Sequence, residues 1–104
     1  GVILPGFDLM KSSLSKTVLS LGVPEGRIVQ LPKNTSDAIS TGIFRAIVGA
    51  VKELRSQIIC LRGGDPKVIF CGGHAGRIVG EFKEKSVVHQ HLVIDGLLRI
   101  GQLG

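Results

Sequence analysis

The amino-acid sequence predicts a layered α/β domain, and three observations lead to this prediction. Short apolar runs rich in β-branched residues alternate with longer segments whose apolar residues recur at helical spacing. Hydrophobic residues make up 43% of the chain and are mostly aliphatic, since Trp and Tyr are absent and Phe occurs four times. The 104 residues suit one domain, 1–104, whose helices and strands pack in layers.

The chain is predicted to begin with a strand and a helix. Val2–Leu4 is an apolar run that Pro5 and Gly6 stop, which is typical of a short buried strand. Apolar residues then keep one helical stripe over Phe7–Leu21, and Gly22 ends that helix. Because a domain rarely opens on an unprotected strand, we expect further chain before this one.

A long helix is predicted from about Ser36 to about Cys60. The polar cluster Lys33–Asp37 is a strong helix start, because side-chain oxygens cap free amides and an acidic group favours the positive end of the helix dipole. Small residues crowd one side of this helix, although a glycine in a helix interior costs about 1 kcal/mol relative to alanine. They indicate that another backbone approaches closely, either within the domain or from a second subunit. These small residues are Gly42, Ala46, Gly49 and Ala50.

The second half of the chain is predicted to alternate strands and helices after a turn rich in Gly and Pro. The predicted elements are a strand at Lys67–Cys71, a helix at His74–Lys83, a strand at Val87–Val88 and a helix at Leu92–Leu103.

The charge does not indicate a nucleic-acid partner, although the formal net charge is +5. Lys and Arg are scattered from Lys11 to Arg99 without a dense block, which is typical of a solvated surface. Binding of single-stranded nucleic acid also needs aromatic platforms, which this composition lacks. No apolar run approaches the length of a membrane span, and the first six residues lack the basic lead-in and cleavage site of a signal peptide.

The two cysteines predict a reducing compartment and no zinc site. Cys60 and Cys71 lie inside apolar runs and have no metal-binding spacing, so we expect buried free thiols. Free thiols are typical of the cytoplasm.

Two segments are candidates for ligand contacts. Gly72 and Gly73 stand between a predicted strand and a helix, where they form either a plain tight turn or a backbone surface open to a nucleotide, with His74 beside it. The hydroxyl of Thr35 either caps the long helix or hydrogen-bonds a polar ligand. His89 and His91 are expected to be surface or turn residues, since a metal site needs about three or four ligands.

No triad, paired carboxylates or activated nucleophile stands out, so no residue is predicted to be catalytic. Each of the four aspartates is explained by a helix cap, a turn or a helix surface. A self-contained active site is therefore not predicted.

Four segments together resemble the second half of the type III pantothenate kinases, also called the Bvg accessory factor family. They occur in the family's order and span nearly the whole chain. The segments are Gly1–Gly6, Lys33–Gly42, Val68–Ala75 and His91–Leu97.

The resemblance implies a fold and an activity for the complete protein. The fold is a ribonuclease-H-like lobe, the C-terminal half of a member of the acetate kinase, heat-shock protein and actin superfamily. The activity is transfer of the ATP γ-phosphoryl group to pantothenate, the first step of coenzyme A synthesis. Family members are usually homodimers that use Mg²⁺ and a monovalent cation, K⁺ or NH₄⁺. The phosphate loop and the catalytic aspartate belong to the family's N-terminal lobe, so this chain alone is expected to bind no cofactor and to be inactive.

The resemblance also implies roles for individual residues. Thr35 matches the threonine that contacts pantothenate near the dimer interface, and Gly72 and Gly73 match the glycine pair beside the nucleoside. His74 stands where the family usually has an acidic residue, which is a departure from the nucleotide site. Two other hypotheses are a regulatory accessory factor that binds nucleic acid without kinase activity, and a purely structural dimerisation lobe.

Overall fold

A computed structural model describes residues 1–18, 25–82, 86–89 and 91–103, and it confirms a mixed α/β composition. The chain divides into two compact units, Gly1–Ser56 and Gln57–Gly104. The helices are α1 (Phe7–Val18), α2 (Thr35–Arg62), α3 (Ala75–Val79) and α4 (Leu92–Leu103), and the strands are β1 (Val68–Phe70) and β2 (Ser86–Val88).

The long helix α2 confirms the predicted element and extends it slightly at both ends. It begins after Asn34, whose carbonyl accepts the first helical hydrogen bond from the Ala38 amide at 3.0 Å. It ends at Arg62, and the following Gly63 has a φ of 67°, a left-handed conformation that glycine adopts without strain. The Gly63 amide still donates to the carbonyl of Ile59 at 2.9 Å, so the last turn closes before the chain leaves the helix.

In the first unit, the segment 25–31 lies against the start of α2. A Cβ on Gly26 would overlap the backbone carbonyl of Ser36 and approach the amide nitrogen of Asp37, so the two backbones meet where only glycine fits. The buried hydrophobic residues of this unit, among those described, are Phe7, Ile43 and Val48.

The first unit differs from the sequence prediction at its beginning. Val2–Leu4 is exposed and forms no strand, since a strand needs a neighbour for its backbone groups and no described residue pairs with it. Helix α1 begins at Phe7, as predicted. Its expected end at Gly22 lies outside the described residues.

In the second unit, β1 and β2 pair in parallel, with Val68 opposite Ser86 and Phe70 opposite Val88. Between them the chain forms α3 and a 3₁₀ turn, Gly80–Phe82, rather than the single helix predicted at His74–Lys83. Gly76 and Gly80 lower the helix propensity there, which favours a short helix that tightens into the 3₁₀ turn. Lys83 lies outside the described residues.

Side chains hold this crossover against the sheet. The rings of Phe70 and Phe82 lie 5.3 Å apart at 45°. The Ser86 hydroxyl lies 3.2 Å from the carbonyl of Phe82 and 3.4 Å from that of Val79, so it donates back to the turn. The second unit is therefore built from a parallel strand pair and its crossover.

The burial predicted for the two cysteines is wrong. Cys60 and Cys71 are both exposed free thiols, because an apolar run in the sequence does not ensure that another element covers it. Within the described part of this chain, no other segment makes the close backbone approach predicted at the small-residue side of α2, and an approach from a second subunit stays a prediction. A Cβ on Gly42 or Gly49 would have no neighbour within 4 Å.

Helix α4 occupies the predicted Leu92–Leu103, and its side chains from Leu92 to Gln102 are exposed. Over the described ranges, no helix has both the length and the apolar character that a membrane crossing requires.

Candidate functional site

A groove of about 790 Å³ lies in the first unit along the N-terminal half of α2. Apolar side chains of α1 and α2 form most of its lining, and polar residues from the start of α2 add hydrogen-bonding groups. This combination of apolar walls and a few polar groups is what small-molecule sites usually offer. The lining includes Met10, Leu14, Ile39 and Ile43 on the apolar side, and Lys33, Asn34 and Thr35 on the polar side.

Thr35 is the first residue of α2 and lines this groove. It is exposed to solvent. Of the two roles predicted for the Thr35 hydroxyl, helix capping is wrong, because the preceding residue, Asn34, is the cap. Asn34 Oδ1 accepts a hydrogen bond from the Asp37 amide at 2.9 Å and one from the Ser36 hydroxyl at 2.9 Å. Within the described residues the Thr35 hydroxyl has no hydrogen-bond partner, so it is available to a ligand.

A buried carboxylate stands behind this turn. The side chain of Asp37 is 10% exposed, and its two oxygens have different partners. Oδ1 accepts from the backbone amide of Arg27 at 2.8 Å, and Oδ2 accepts from Nδ2 of Asn34 at 3.0 Å. The Arg27 guanidinium lies 3.8 Å away and is 83% exposed, so this ion pair is largely screened by water.

These contacts lower the pKa of Asp37. The largest cause is the hydrogen bond from the Arg27 amide, followed by the bond from the Asn34 side chain. Burial acts in the opposite direction, and the Arg27 charge adds to the lowering. The carboxylate is therefore stabilised in its ionised form, as an acceptor for both neighbours.

Two further side chains, one and two turns along α2, hold the same segment. Thr41 Oγ accepts from the Val29 amide at 3.0 Å and donates to the Arg27 carbonyl at 3.3 Å. Arg45 Nη2 donates to the carbonyl of Gln30 at 3.1 Å. Asp37, Thr41 and Arg45 thus form a polar row that fixes the segment 27–30 beside the helix.

This polar row was not predicted, although the sequence contains a signal for it. Three polar residues recur at four-residue spacing on a helix that is otherwise rich in Ile, Val and Ala. Residues at this spacing lie on one face of a helix. The helix-start pattern explains Asp37 by capping and the helix dipole, whereas its main partners in the structure are Arg27 and Asn34.

The second candidate site lies in the second unit, where Gly72, Gly73 and His74 connect β1 to α3. Gly72 has a φ of 107°, a conformation that residues with side chains rarely adopt. The Ala75 amide donates to the Gly72 carbonyl at 3.3 Å and closes a tight turn. A Cβ on Gly72 or Gly73 would meet nothing within 4 Å, so the space beside both glycines is open. The half-buried His74 directly precedes α3 and makes no side-chain cap bond to it.

The remaining histidines are exposed. His89 Nε2 lies 3.5 Å from Asp95 Oδ2, and both side chains are about half exposed. His91 accepts the Asp95 amide at its carbonyl, 2.8 Å away, at the start of α4. In the ranges the structure covers, no three His, Cys, Asp or Glu side chains come together in a way that could hold a metal ion.

Comparison with known proteins relates a family profile to the first half of the chain and individual relatives to nearly all of it. The family profile described as type III pantothenate kinase matches residues 1–57, which is more than half of the chain. A relative from Leptothrix cholodnii, named type III pantothenate kinase, is 37% identical over 100 residues, covering 96% of this chain and 38% of the relative. One from Chromobacterium violaceum with the same name is 37% identical over 101 residues, covering 96% of this chain and 43% of the relative. The chain thus spans about two fifths of the length of these curated relatives. No solved structure matches.

Proposed function

The chain belongs to the type III pantothenate kinase family, and from that premise we propose that it supplies substrate contacts to a kinase that phosphorylates pantothenate. The observation that carries this proposal is the position of Thr35, which lies in the lining of a groove and whose hydroxyl has no hydrogen-bond partner among the described residues. A threonine hydroxyl both donates and accepts, so it suits a substrate that carries hydroxyl, amide and carboxylate groups.

The groove supports this assignment by its chemistry. Pantothenate combines an apolar dimethyl centre with polar groups at its ends, and the groove combines the apolar Met10, Leu14 and Ile39 with the polar Lys33 and Thr35. Apolar walls bury the dimethyl group, and the polar groups set its orientation.

The turn at Gly72, Gly73 and His74 is our proposed nucleoside contact. The open space beside both glycines supports a close approach of a ligand to the backbone. His74 introduces an imidazole where the family usually has an acidic side chain, so we propose that ribose recognition there differs from that of the family. The phosphoryl donor of the proposed reaction is ATP.

We propose that residues 1–104 form a ribonuclease-H-like C-terminal lobe that is inactive alone. Phosphoryl transfer depends on positioned phosphates, cations and a base. In the complete protein, the N-terminal lobe would supply the phosphate loop and the catalytic aspartate, and Mg²⁺ and K⁺ or NH₄⁺ would act there. We place this protein in the cytoplasm and assign it to coenzyme A biosynthesis.

A homodimer is part of this proposal. The small-residue side of α2 supports it, since the space beside Gly42 and Gly49 is open to a second subunit. Replacing Gly49 by Leu should then lower the mass that light scattering measures, and an unchanged dimer mass would contradict the assignment.

The decisive experiment compares the 104-residue chain alone with the chain joined to the remaining sequence of the Leptothrix cholodnii relative. We expect ATP- and pantothenate-dependent turnover from the joined protein and none from the chain alone. Thr35→Val should raise the KM for pantothenate, whereas Thr35→Ser, which keeps the hydroxyl, should change it little. Turnover by the chain alone would contradict the incomplete-lobe assignment, and an inactive joined protein would contradict the kinase assignment.

The second candidate is a regulatory accessory factor that binds nucleic acid without kinase activity. Its basis is the formal net charge of +5, although Lys and Arg form no dense block, together with His74 at the proposed nucleoside contact. A salt-dependent gel shift would support this function, because phosphate contacts weaken steeply with salt. Absence of binding at low salt would remove it.

A further inference from the structure

We infer that Asp37 is a positioning residue, which orients Thr35 in the groove through its hydrogen bonds to Asn34. This inference rests on the proposed contact between Thr35 and pantothenate. It concerns a residue that is buried, whereas Thr35 itself is exposed.

Asn34 and Asp37 hold one another through two hydrogen bonds of opposite direction. The Asp37 amide donates to Asn34 Oδ1 at 2.9 Å, and Asn34 Nδ2 donates to Asp37 Oδ2 at 3.0 Å. Both ends of the Asn34 side-chain amide are therefore engaged. Since Thr35 follows Asn34 directly and is the first helical residue, this pair sets the direction in which the Thr35 side chain leaves the helix.

The carboxylate of Asp37 is itself fixed from the other side. Its Oδ1 accepts from the Arg27 amide at 2.8 Å, and the segment that carries Arg27 is held independently by Thr41. The hydrogen bond between Asp37 Oδ1 and the Arg27 amide explains only how the segment 27–30 is attached to α2. The second oxygen is directed at Asn34, and that contact links the fixed carboxylate to the residue beside Thr35.

This geometry allows a test that separates positioning from general stability. Asp37→Asn keeps an oxygen for the Arg27 amide but turns an NH₂ group toward Nδ2 of Asn34, so the pair is broken while the shape is kept. The double variant Asn34→Asp with Asp37→Asn restores the pair with its direction reversed, and Asp is an equally good cap. Thr41→Val is the matched control, because it weakens the segment without touching Asn34. Asn34→Ser breaks the same pair from the other side and keeps a capping oxygen.

The measurements are kinetics of the joined protein and the NMR order parameter of the Thr35 methyl group. We expect Asp37→Asn to raise the KM for pantothenate about tenfold, as the loss of about 1.4 kcal/mol would, with kcat and the KM for ATP nearly unchanged. Asn34→Ser should act in the same way, and the double variant should recover most of the affinity. The Thr35 methyl should be ordered in the wild type and the double variant, and mobile in both single variants.

The outcomes distinguish this inference from the proposed function. If Thr35→Val leaves the KM for pantothenate unchanged, the proposed contact is wrong. If Thr35→Val raises that KM but Asp37→Asn and Asn34→Ser do not, positioning by Asp37 is overturned. A Thr35 methyl that stays ordered in both single variants, or a KM that rises equally in Thr41→Val, would overturn it as well.

Discussion

The hydroxyl of Thr41 accepts a hydrogen bond from the backbone amide of Val29 at 3.0 Å. Thr41 is 2% exposed, so the bond is shielded from water and the amide has no solvent to replace it. The segment 25–31, which has no helix or strand of its own, is in this way fixed to the longest helix. The stability of the first unit therefore depends on side chains of α2 that face the segment 25–31.

Replacing Thr41 by Val should destabilise the protein by about 1–3 kcal/mol, because the Val29 amide loses its acceptor and the Arg27 carbonyl loses a donor. Chemical denaturation of the chain measures this change. Thr41→Ser is the control, since it keeps the hydroxyl and should lose less than Thr41→Val. Equal losses for the two variants would mean that packing of the methyl group, rather than the hydrogen bonds, dominates.

Replacing Gly26 by Ala should destabilise the protein by about 1–3 kcal/mol, because the new Cβ would overlap the carbonyl of Ser36 and the helix start would have to move. Gly96→Ala is a control of opposite sign. It lies within α4 with open space beside it, so it should raise stability by about 1 kcal/mol through helix propensity. Thermal unfolding followed by circular dichroism would check both, and a neutral Gly26→Ala would contradict the close backbone contact.

Stability should fall in acid partly through Asp37. The folded state lowers the pKa of this carboxyl below 3.8, so its contribution is complete above the unfolded-state pKa and is lost as the pH falls through the folded value. The unfolding temperature of the wild type should therefore decline below about pH 4 more steeply than that of Asp37→Asn, which has no such proton to bind. Parallel declines for the two proteins would show that other carboxyl groups account for the acid sensitivity.

Patterns confined to one element were predictable from the sequence. The periodic apolar residues of α2 and α4, and the β-branched runs at β1 and β2, placed these elements to within about two residues of their observed bounds. Features that depend on a second segment were not. The strand expected at Val2–Leu4 needs a neighbour, and the burial expected for Cys60 needs a covering element, and neither requirement can be read from a local run of residues.

In the candidate site, too, a role that depends on one element was predictable and a role that depends on a second segment was not. Thr35 could be singled out because it lies in a helix-start cluster and in a segment that resembles a known family. The roles of Asn34 and Asp37 depend on Arg27, which lies ten residues before Asp37 and is brought to it by the fold. Only the four-residue spacing of Asp37, Thr41 and Arg45 could have indicated that this helix face holds another segment.

The two glycines after β1 should respond differently to substitution by Ala. Gly72 has a φ of 107°, so Gly72→Ala should destabilise the protein by about 1–3 kcal/mol through backbone strain. Gly73 has open space beside it and no positive φ, so Gly73→Ala should leave the unfolding temperature nearly unchanged.

If the turn contacts the nucleoside as proposed, the added methyl of Gly73→Ala would occupy the space that the ligand needs. The KM for ATP of the joined protein should then rise while the KM for pantothenate stays constant. An unchanged KM for ATP in a stably folded Gly73→Ala variant would leave this segment a plain tight turn.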